Sequence, residues 1–351
     1  MRFMHMADVH LGAAPDGRAG WSETRKKEIW ETFRSSMEDA RREQVDLLLI
    51  AGDLFHRQPL LEELKEVNYL FSTLPNTRVV LIAGNHDYLQ PASNYLNFPW
   101  SRNVVCLFSR ECECVRFSDI DTEVYGFSYY RQEILEPLYE GIHPVKEREK
   151  CCRILLAHGG DSQHIPINRD SLRNSGFDYI ALGHIHKPQT VWKEQAAYAG
   201  ALEPIDCNDL GPHGYILGEY TKGRIRLRFV KKAKREYIVL PLEVTEGDTT
   251  FSLRDKLEKK IEERGWQNIY RVALQGRRDP QTHFDTEKLT EFGMVLEVED
   301  QTVPAFHLEE LKRKYAGQMI GRYIESFEGH ERSLTEEKAL QYGLEALLSQ
   351  E

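Results

Sequence analysis

The chain has 351 residues, of which 41% are hydrophobic and 29% are charged, and its formal net charge at pH 7 is -10. This balance is typical of a soluble globular protein, and the length favours a large domain plus a smaller one. The negative charge argues against indiscriminate nucleic-acid binding, so a polyanionic substrate would need a local basic surface or bound metal. No apolar run approaches the ~20 residues of a membrane span. Polar residues interrupt the N-terminal segment, so we expect a cytoplasmic protein.

Apolar runs and amphipathic segments alternate along the first part of the chain, a pattern that predicts an α/β fold. The apolar run at 47–50 is continuous, as expected of a strand buried on both faces. In chain order we predict a strand at 3–6, a helix from the N-cap Ser22 to about residue 43, a strand at 45–50, a helix at 60–74, a strand at 79–83, shorter strands at 104–108, 112–117 and 122–127, and buried strands at 154–157 and 179–182.

The remainder of the chain begins with strands at 195–200 and 214–220, predicted to belong to a second sheet, and an edge strand at 224–230. After a charged connector, the pattern predicts a strand at 237–244, a helix at 252–264, a strand at 269–274, a short helix at 287–290 and a strand at 294–298. Two helices close the chain, at 306–327 and 334–348, the second begun by a capping box of Ser333 and Glu336. We therefore predict domains at 1–235 and 236–300, followed by C-terminal helices at 301–351.

The six cysteines form no C-x-x-C pair, and the adjacent Cys151 and Cys152 have poor geometry for a disulfide. We interpret all six as reduced thiols.

Five predicted strands end in polar residues, which are Asp8, His10, Asp53, Asn85, His158, His184 and His186. Ligands bind at the carboxyl ends of strands in open α/β sheets, so we expect these side chains to meet. Oxygen and imidazole ligands without thiolates suit Mn²⁺, Fe or Zn²⁺ in a hydrolytic site. Two ions about 3.5–4 Å apart need a shared carboxylate, and Asp53 is the natural bridge. In the alternative interpretation the histidines are hydrogen-bonded loop residues that cap a sheet.

The order D-x-H, G-D, G-N-H-D, a histidine and G-H-x-H resembles the calcineurin-like metallophosphoesterases. The resemblance implies two mixed β-sheets flanked by helices, with residues 1–235 as the catalytic domain and 236–300 as a small α/β cap. It also implies the metal ligands. Those of one ion are Asp8, His10, Asp53 and His186, and those of the other are Asp53, Asn85, His158 and His184.

A narrower resemblance rests on G-D-L-F-H at 52–56, and on the segments 198–203 and 211–214. These are similar to the double-strand-break-repair nuclease subunits, namely bacterial SbcD and YhaO and the meiotic-recombination-eleven nucleases. Serine/threonine phosphatases would instead show G-D-x-x-D-R-G. The resemblance implies a DNA exo- or endonuclease with two divalent ions, Mn²⁺ in preference to Fe or Zn²⁺. It also implies a homodimer and an SbcC-like ABC-type ATPase partner with a coiled coil.

For the mechanism we expect a hydroxide that bridges the two ions to attack the phosphodiester. His86, next to Asn85, would contact the phosphate and protonate the leaving sugar oxygen. By resemblance, His56 would position the scissile phosphate of DNA, unless it is a surface histidine. Asp87 would orient a neighbour by hydrogen bonding or cap a turn.

DNA contacts are predicted at Arg224, Arg226 and Arg228, which share one strand face, with Arg18 as a rival. Alternatively, those arginines protect an edge strand from aggregation. We expect the closing helices either to dock the ATPase or to pack on the cap. The segments 60–74 and 95–100 are expected either to form a homodimer contact or to belong to the core. Two other functions remain open, a small-substrate phosphodiesterase or phosphatase and a non-catalytic scaffold for the ATPase.

Overall fold

The computed structural model of the chain describes residues 1–17, 19–145 and 151–348. Strands and helices alternate through its first part, as the apolar pattern predicts. The strands are β1 Arg2–Met6, β2 Leu47–Ala51, β3 Arg78–Ile82, β4 Val104–Cys106, β5 Glu113–Phe117, β6 Thr122–Gly126, β7 Cys152–His158, β8 Tyr179–Gly183, β9 Gln189–Trp192, β10 Ala196–Tyr198, β11 Gly214–Thr221, β12 Arg224–Lys231, β13 Tyr237–Val244, β14 Ile269–Arg278, β15 Val295–Asp300 and β16 Val303–Pro304. The helices are α1 Ser22–Arg42, α2 Leu61–Ser72, α3 Arg169–Arg173, α4 Thr250–Arg264, α5 Thr286–Thr290, α6 Leu308–Lys314, α7 Met319–Glu325 and α8 Leu334–Leu348.

Two mixed six-stranded sheets make up the first compact unit, Met1–Tyr237. The first sheet has the order β12-β11-β1-β2-β3-β4, in which β1 to β4 are parallel and β11 and β12 are antiparallel to their neighbours. The second has the order β5-β6-β7-β8-β10-β9, with a parallel centre from β6 to β10. The predicted fold of two mixed sheets flanked by helices is confirmed.

Strand β2 shows why its sequence is uninterrupted by polar residues. Leu47 and Leu49 pack between the two sheets, together with Ile154 and Leu156 of β7. The alternate residues of β2, Leu48 and Ile50, pack on the opposite face in a core that α1 and α2 complete. Because neighbouring side chains on a strand point to opposite faces, burial of both faces requires a continuous apolar run.

Three predictions about elements of the fold are wrong. The strand at 214–220 lies beside β1 in the first sheet and not in the second. Ser22 is the first helical residue of α1, and the N-cap position is occupied by Trp21, which makes no side-chain capping bond. The helix predicted at 306–327 is two helices, α6 and α7, because the chain between them turns through Gly317, whose φ is +75°.

The second compact unit is Ile238–Glu351. Its sheet is β13-β14-β15, with β16 also paired to β14, and α4 covers it through Leu253, Leu257 and Ile261. A separate apolar cluster joins α6, α7 and α8, and it holds Tyr315, Ile324 and Leu344. The capping box that begins α8 is present as reciprocal hydrogen bonds between Ser333 and Glu336. The division of this unit into a cap and C-terminal helices stays a prediction.

The segments suggested for a homodimer contact contribute to the core in this structure. Leu64, Val67 and Phe71 of α2 are fully buried, and Tyr95 is 1% exposed in the same cluster. Trp100 packs against that cluster. Core packing, the alternative interpretation, therefore accounts for these side chains. Among the described helices, none combines the length and the apolar character needed to cross a bilayer.

Candidate metal centre

The polar residues that follow β1, β2, β3, β7 and β8 meet at one end of the two sheets. Several of them have backbone angles in the left-handed region, which residues other than glycine rarely adopt. The φ angle is 49° at Asp8, 51° at His10, 50° at Asp53 and 93° at His184. Each such residue costs of order 1–3 kcal/mol, so this accumulation of strain at the strand ends points to function.

One group of side chains consists of Asp8, His10 and His186, whose potential ligand atoms lie within 4.8 Å of one another. The Nε2 atoms of His10 and His186 are only 3.1 Å apart. The carboxylate of Asp8 is fully buried and accepts hydrogen bonds of 2.9 and 3.0 Å from the backbone N–H of His184. This carboxylate therefore also connects the end of β1 to the end of β8.

A second group adjoins the first through Asp53. The Oδ2 atom of Asp53 lies 3.9 Å from His10 Nε2 and 3.4 Å from His158 Nε2. Asn85 Oδ1 is 2.9 Å from His158 Nε2 and 3.1 Å from His184 Nδ1. All seven predicted ligands are thus brought together, and Asp53 lies between the two groups. Their assignment to particular ions stays a prediction.

The outer hydrogen bonds of the histidines decide which nitrogen carries a proton. His158 Nδ1 is 2.8 Å from the carbonyl oxygen of Ala51, His184 Nε2 is 2.7 Å from Asp161 Oδ2, and His186 Nδ1 is 3.1 Å from Asp209 Oδ2. Carbonyls and carboxylates only accept hydrogen bonds, so these nitrogens donate.

In the neutral histidines the opposite nitrogens then present lone pairs to the centre. There they face Asn85 Oδ1, Asp53 Oδ2 and His10 Nε2, so electron-rich atoms from several strands point at one another. A cation placed among these atoms would be attracted to all of them, so the residues fit divalent metal ions.

In the metal-free centre, protons on two histidines balance the negative charge of the buried carboxylates. Burial opposes a charge on His158, but the carboxylates of Asp53 and Asp8 outweigh it and raise its pKa to about 9. Burial likewise opposes a charge on His186, whose pKa is raised to about 9 by Asp209 and Asp8. Burial raises the pKa of Asp8 to about 6. Burial also acts to raise the pKa of Asp53, but His158 and His10 bring it far below the usual range.

The glycines of the G-D and G-N-H-D motifs permit the close approach of these strand ends. A Cβ atom on Gly52, whose φ is +85°, would lie 2.4 Å from His158 Nδ1. A Cβ atom on Gly84 would lie 2.3 Å from Asp53 Oδ1. Both distances are too short for any side chain, so each glycine is needed for its neighbour to reach the centre.

His56 and His86 lie at the edge of the centre as a stacked pair, with ring centroids 5.0 Å apart. His86 Nδ1 is 3.0 Å from the carbonyl oxygen of His56. His56 Nδ1 is 3.3 Å from His10 Nδ1. Burial is the main cause that lowers the pKa of His56, and the charge of His86 adds to it. Both histidines are therefore in contact with the metal centre or its immediate neighbours.

Asp87 connects two of the strand-end loops. It is fully buried and accepts hydrogen bonds from the backbone N–H groups of Gly84 and Phe55 and from the Tyr95 hydroxyl. Burial, aided by the charge of Asp53, raises the pKa of Asp87 to about 6. The contact with Gly84 fits a turn cap, and the contacts with Phe55 and Tyr95 fit the orientation of neighbours, so the role of Asp87 stays a prediction.

The arginines proposed to contact DNA are not brought to the metal centre. Arg226 pairs with Glu219, which pairs in turn with Arg2 at the start of β1, whereas the metal centre follows the end of that strand. Arg224 lies further in the same direction, and Arg228 is level with Met4. Their contact with DNA stays a prediction. Arg18 lies outside the described residues.

Two acidic residues at the centre were missed by sequence reasoning. Asp161 contacts His184, and Asp209 contacts His186. Asp161 is the fourth residue of H-G-G-D after β7, so its proximity to a predicted ligand was a usable signal. Asp209 follows a loop and carried no comparable signal.

Comparison with known proteins gives the family. The family model described as calcineurin-like phosphoesterase matches residues 1–188. The chain is 29% identical over 299 residues to the uncharacterized metallophosphoesterase YhaO of Bacillus subtilis, covering 79% of this chain and 72% of that protein. It is 25% identical over 278 residues to the DNA double-strand break repair protein Mre11 of Aeropyrum pernix, covering 72% and 66%. To the SbcD component of the nuclease SbcCD of Staphylococcus saprophyticus it is 25% identical over 305 residues, covering 75% and 76%. The resemblance inferred from the motifs is confirmed.

Proposed function

This chain belongs to the calcineurin-like phosphoesterase family, and from that premise we propose that it is a metal-dependent DNA exo- or endonuclease of a repair complex. The observation that carries the proposal is the stacked pair of His56 and His86 beside the seven convergent ligands. The names of the similar proteins, Mre11 and the SbcD component of the nuclease SbcCD, support a DNA substrate.

We assign one divalent ion to Asp8, His10, Asp53 and His186, and the other to Asp53, Asn85, His158 and His184. When bound, two such ions supply a nucleophile from water near neutral pH and neutralise the charge of the phosphate oxygens. The mixture of carboxylate, amide and imidazole ligands suits Mn²⁺, Fe or Zn²⁺, and we propose Mn²⁺ on the resemblance to the repair nucleases. The burial of Asp8, His10, Asp53 and His158 excludes bulk water from their side of the centre.

His86 is the proposed acid for the leaving sugar oxygen. Its Nδ1 donates to the carbonyl of His56 at 3.0 Å, which leaves Nε2 as the atom that exchanges a proton. Transfer of that proton to the sugar oxygen avoids an alkoxide leaving group, a contribution typically worth ~10²–10⁴-fold in rate.

His56 is the proposed contact for the scissile phosphate. If Nε2 of His10 serves as a metal ligand, Nδ1 of His10 keeps its proton and donates it to His56 Nδ1 at 3.3 Å. The proton of neutral His56 then resides on Nε2, which is free to donate to a phosphate oxygen. His56 thus couples the position of the phosphate to the position of a metal ligand.

The proposal extends to partners. Because a similar protein is named as one component of the nuclease SbcCD, we propose that this chain also acts with an SbcC-like ABC-type ATPase. A homodimer is proposed on the resemblance alone. Action on chromosomal DNA would place the protein in the cytoplasm.

Cleavage of end-labelled single- and double-stranded DNA with Mn²⁺ tests the proposal, with Asp53→Asn as the control and a chromogenic aryl phosphodiester as a parallel substrate. We expect the wild-type protein to cleave DNA and the variant to be inactive. Cleavage of the chromogenic substrate alone would overturn the nuclease in favour of a small-substrate phosphodiesterase. Inactivity on both substrates with Mn²⁺ bound would overturn the enzyme in favour of a scaffold.

A further inference from the structure

Asp161 contacts the centre from outside the proposed ligand set. Its Oδ2 atom lies 2.7 Å from Nε2 of His184, while Nδ1 of the same ring lies 3.1 Å from Asn85 Oδ1. The carboxylate only accepts hydrogen bonds, so the proton of His184 must reside on Nε2. The lone pair of His184 is therefore on Nδ1, the atom that faces Asn85.

The Asp161 carboxylate is itself held in place. Its Oδ1 accepts hydrogen bonds of 2.8 Å from the backbone N–H groups of both Gln163 and His164. Nδ1 of His164 lies 3.0 Å from each carboxylate oxygen, and its ring packs against that of His184 with centroids 4.5 Å apart. One oxygen is thus fixed by the loop, which directs the other to His184.

The loop from Gly159 to His164 is built to return Asp161 to the centre. It is closed by a 2.9 Å hydrogen bond from the N–H of Gly160 to the carbonyl of His164. Its glycines have φ angles of +138° and +131°. A Cβ atom on Gly160 would lie 2.3 Å from the Tyr198 hydroxyl, which donates to the carbonyl of Gly159. No other residue fits that position without moving Tyr198.

We propose that Asp161 is a positioning residue that, with His164, fixes the ring of His184 so that Nδ1 is the metal-binding nitrogen. This rests on the part of the proposed function that assigns divalent ions to the centre. Asp209 makes the corresponding contact with His186, whose other nitrogen faces His10. The two carboxylates therefore contact histidines that are assigned to different ions. A substitution at one carboxylate should change the metal affinity of one site without changing that of the other.

Replacement of a carboxylate by an amide is the sharpest test, because the amide can donate as well as accept and no longer selects one tautomer of the histidine. We expect Asp161→Asn to weaken one of two Mn²⁺ sites by roughly 10–100-fold, as loss of such partners typically does. Asp209→Asn should weaken the other site, and the double variant should weaken both. Asp170→Asn, at an exposed acid on α3, is the matched control and should bind Mn²⁺ like the wild type.

Two measurements that do not depend on activity are used, calorimetric titration with MnCl₂ and the EPR spectrum of the Mn²⁺-loaded protein. At a Mn²⁺ concentration that just fills both wild-type sites, the single variants should show isolated Mn²⁺ where the wild type shows a spin-coupled pair. The thermal midpoint of Asp161→Asn in EDTA should stay within roughly 2 °C of the wild type, because Asp161 is 45% exposed and its pairing adds little stability.

Two results would overturn the proposal. The first is wild-type binding of both ions by Asp161→Asn. The second is weaker Mn²⁺ binding together with a large fall in the thermal midpoint in EDTA, which would mean that Asp161 has only a structural role. A wild-type protein that binds two Mn²⁺ ions but cleaves no DNA would refute the nuclease, while the titration would still decide the role of Asp161.

Discussion

The histidines at the centre differ in which ring nitrogen makes an outer hydrogen bond and which faces the centre. His184 and His186 each use one nitrogen for a carboxylate and leave the other for the centre. His86 uses Nδ1 for the carbonyl of His56 and belongs to neither proposed ligand set. The consequences of removing each ring should therefore differ, which makes them separable by experiment.

Replacement of His86 by glutamine should impair chemistry without removing metal. We expect His86→Gln to lower kcat on DNA by roughly 10²–10⁴-fold, because the leaving sugar oxygen would lack its proton donor. Metal analysis and steady-state kinetics with Mn²⁺ measure the two effects. His283→Gln, at an exposed histidine of the second unit, is the control and should be active. Loss of Mn²⁺ from His86→Gln would show that His86 holds metal.

Replacement of His56 by alanine should discriminate between substrates. We expect His56→Ala to lower cleavage of DNA at least roughly tenfold more than hydrolysis of a small aryl phosphodiester. A small substrate with a good leaving group depends less on a positioned phosphate. The rates of wild type and variant on both substrates, measured side by side at saturating Mn²⁺, give the ratio of the two losses. Equal losses on both would mean that His56 acts only by supporting His10.

At the scale of elements, helix α1 is anchored through a buried ion-pair network. Arg25 is fully buried, and its Nη1 atom lies 2.8 Å from Glu28 and 3.2 Å from Glu203. Glu203 also accepts hydrogen bonds from the Thr32 hydroxyl and from the backbone of Lys234. The network thus joins α1 to the segment after β10 and to the connector after β12.

Loss of the Glu203 charge should therefore destabilise the fold. We expect Glu203→Gln to lower the free energy of unfolding by about 3 kcal/mol, because Arg25 would keep a buried charge with less compensation. Glu136→Gln, which breaks the exposed pair of Arg131 and Glu136, should lower the free energy of unfolding far less, because solvent screens that pair. Urea unfolding of both variants gives the comparison. Equal costs would contradict the proposed anchoring role of the network.

Elements also show what local pattern can and cannot predict. The continuous apolar run of β2 predicted burial on both faces because that property depends only on the side chains of the strand itself. The sheet membership of β11 was predicted wrongly because it depends on pairing with β1, more than 200 residues away in the chain. The break between α6 and α7 was visible in principle, since Gly317 interrupts a helical pattern.

For the whole molecule, the charge balance of the metal centre couples stability to pH. In the metal-free protein the pKa values of His158 and His186 are raised from 6.5 to about 9, as Asp53, Asp8 and Asp209 overcome the effect of burial. The stability that these ion pairs contribute is therefore complete below pH 6.5 and is lost as pH rises through about 9. Metal binding needs neutral imidazoles, so metal affinity should change in the opposite direction.

We accordingly expect the thermal midpoint of the EDTA-treated protein to fall by roughly 5 °C between pH 6.5 and 9. The increase in midpoint on addition of Mn²⁺ should grow over the same interval. Scanning calorimetry at several pH values, with and without Mn²⁺, measures both trends, and Glu136→Gln serves as a control for changes outside the centre. A metal-free protein that becomes more stable across this interval would contradict the raised pKa values.

The sequence by itself determined which residue types stand at the strand ends, and hence the ligand chemistry of the centre. Parallel strands bring their carboxyl ends to one edge of a sheet, so Asp8, Asp53 and His158 could be expected to meet. Only the tertiary structure decided which nitrogen of each histidine faces that centre. That choice depends on partners such as Asp161 and Asp209, which reach the rings from separate loops, and no local pattern encodes such an approach.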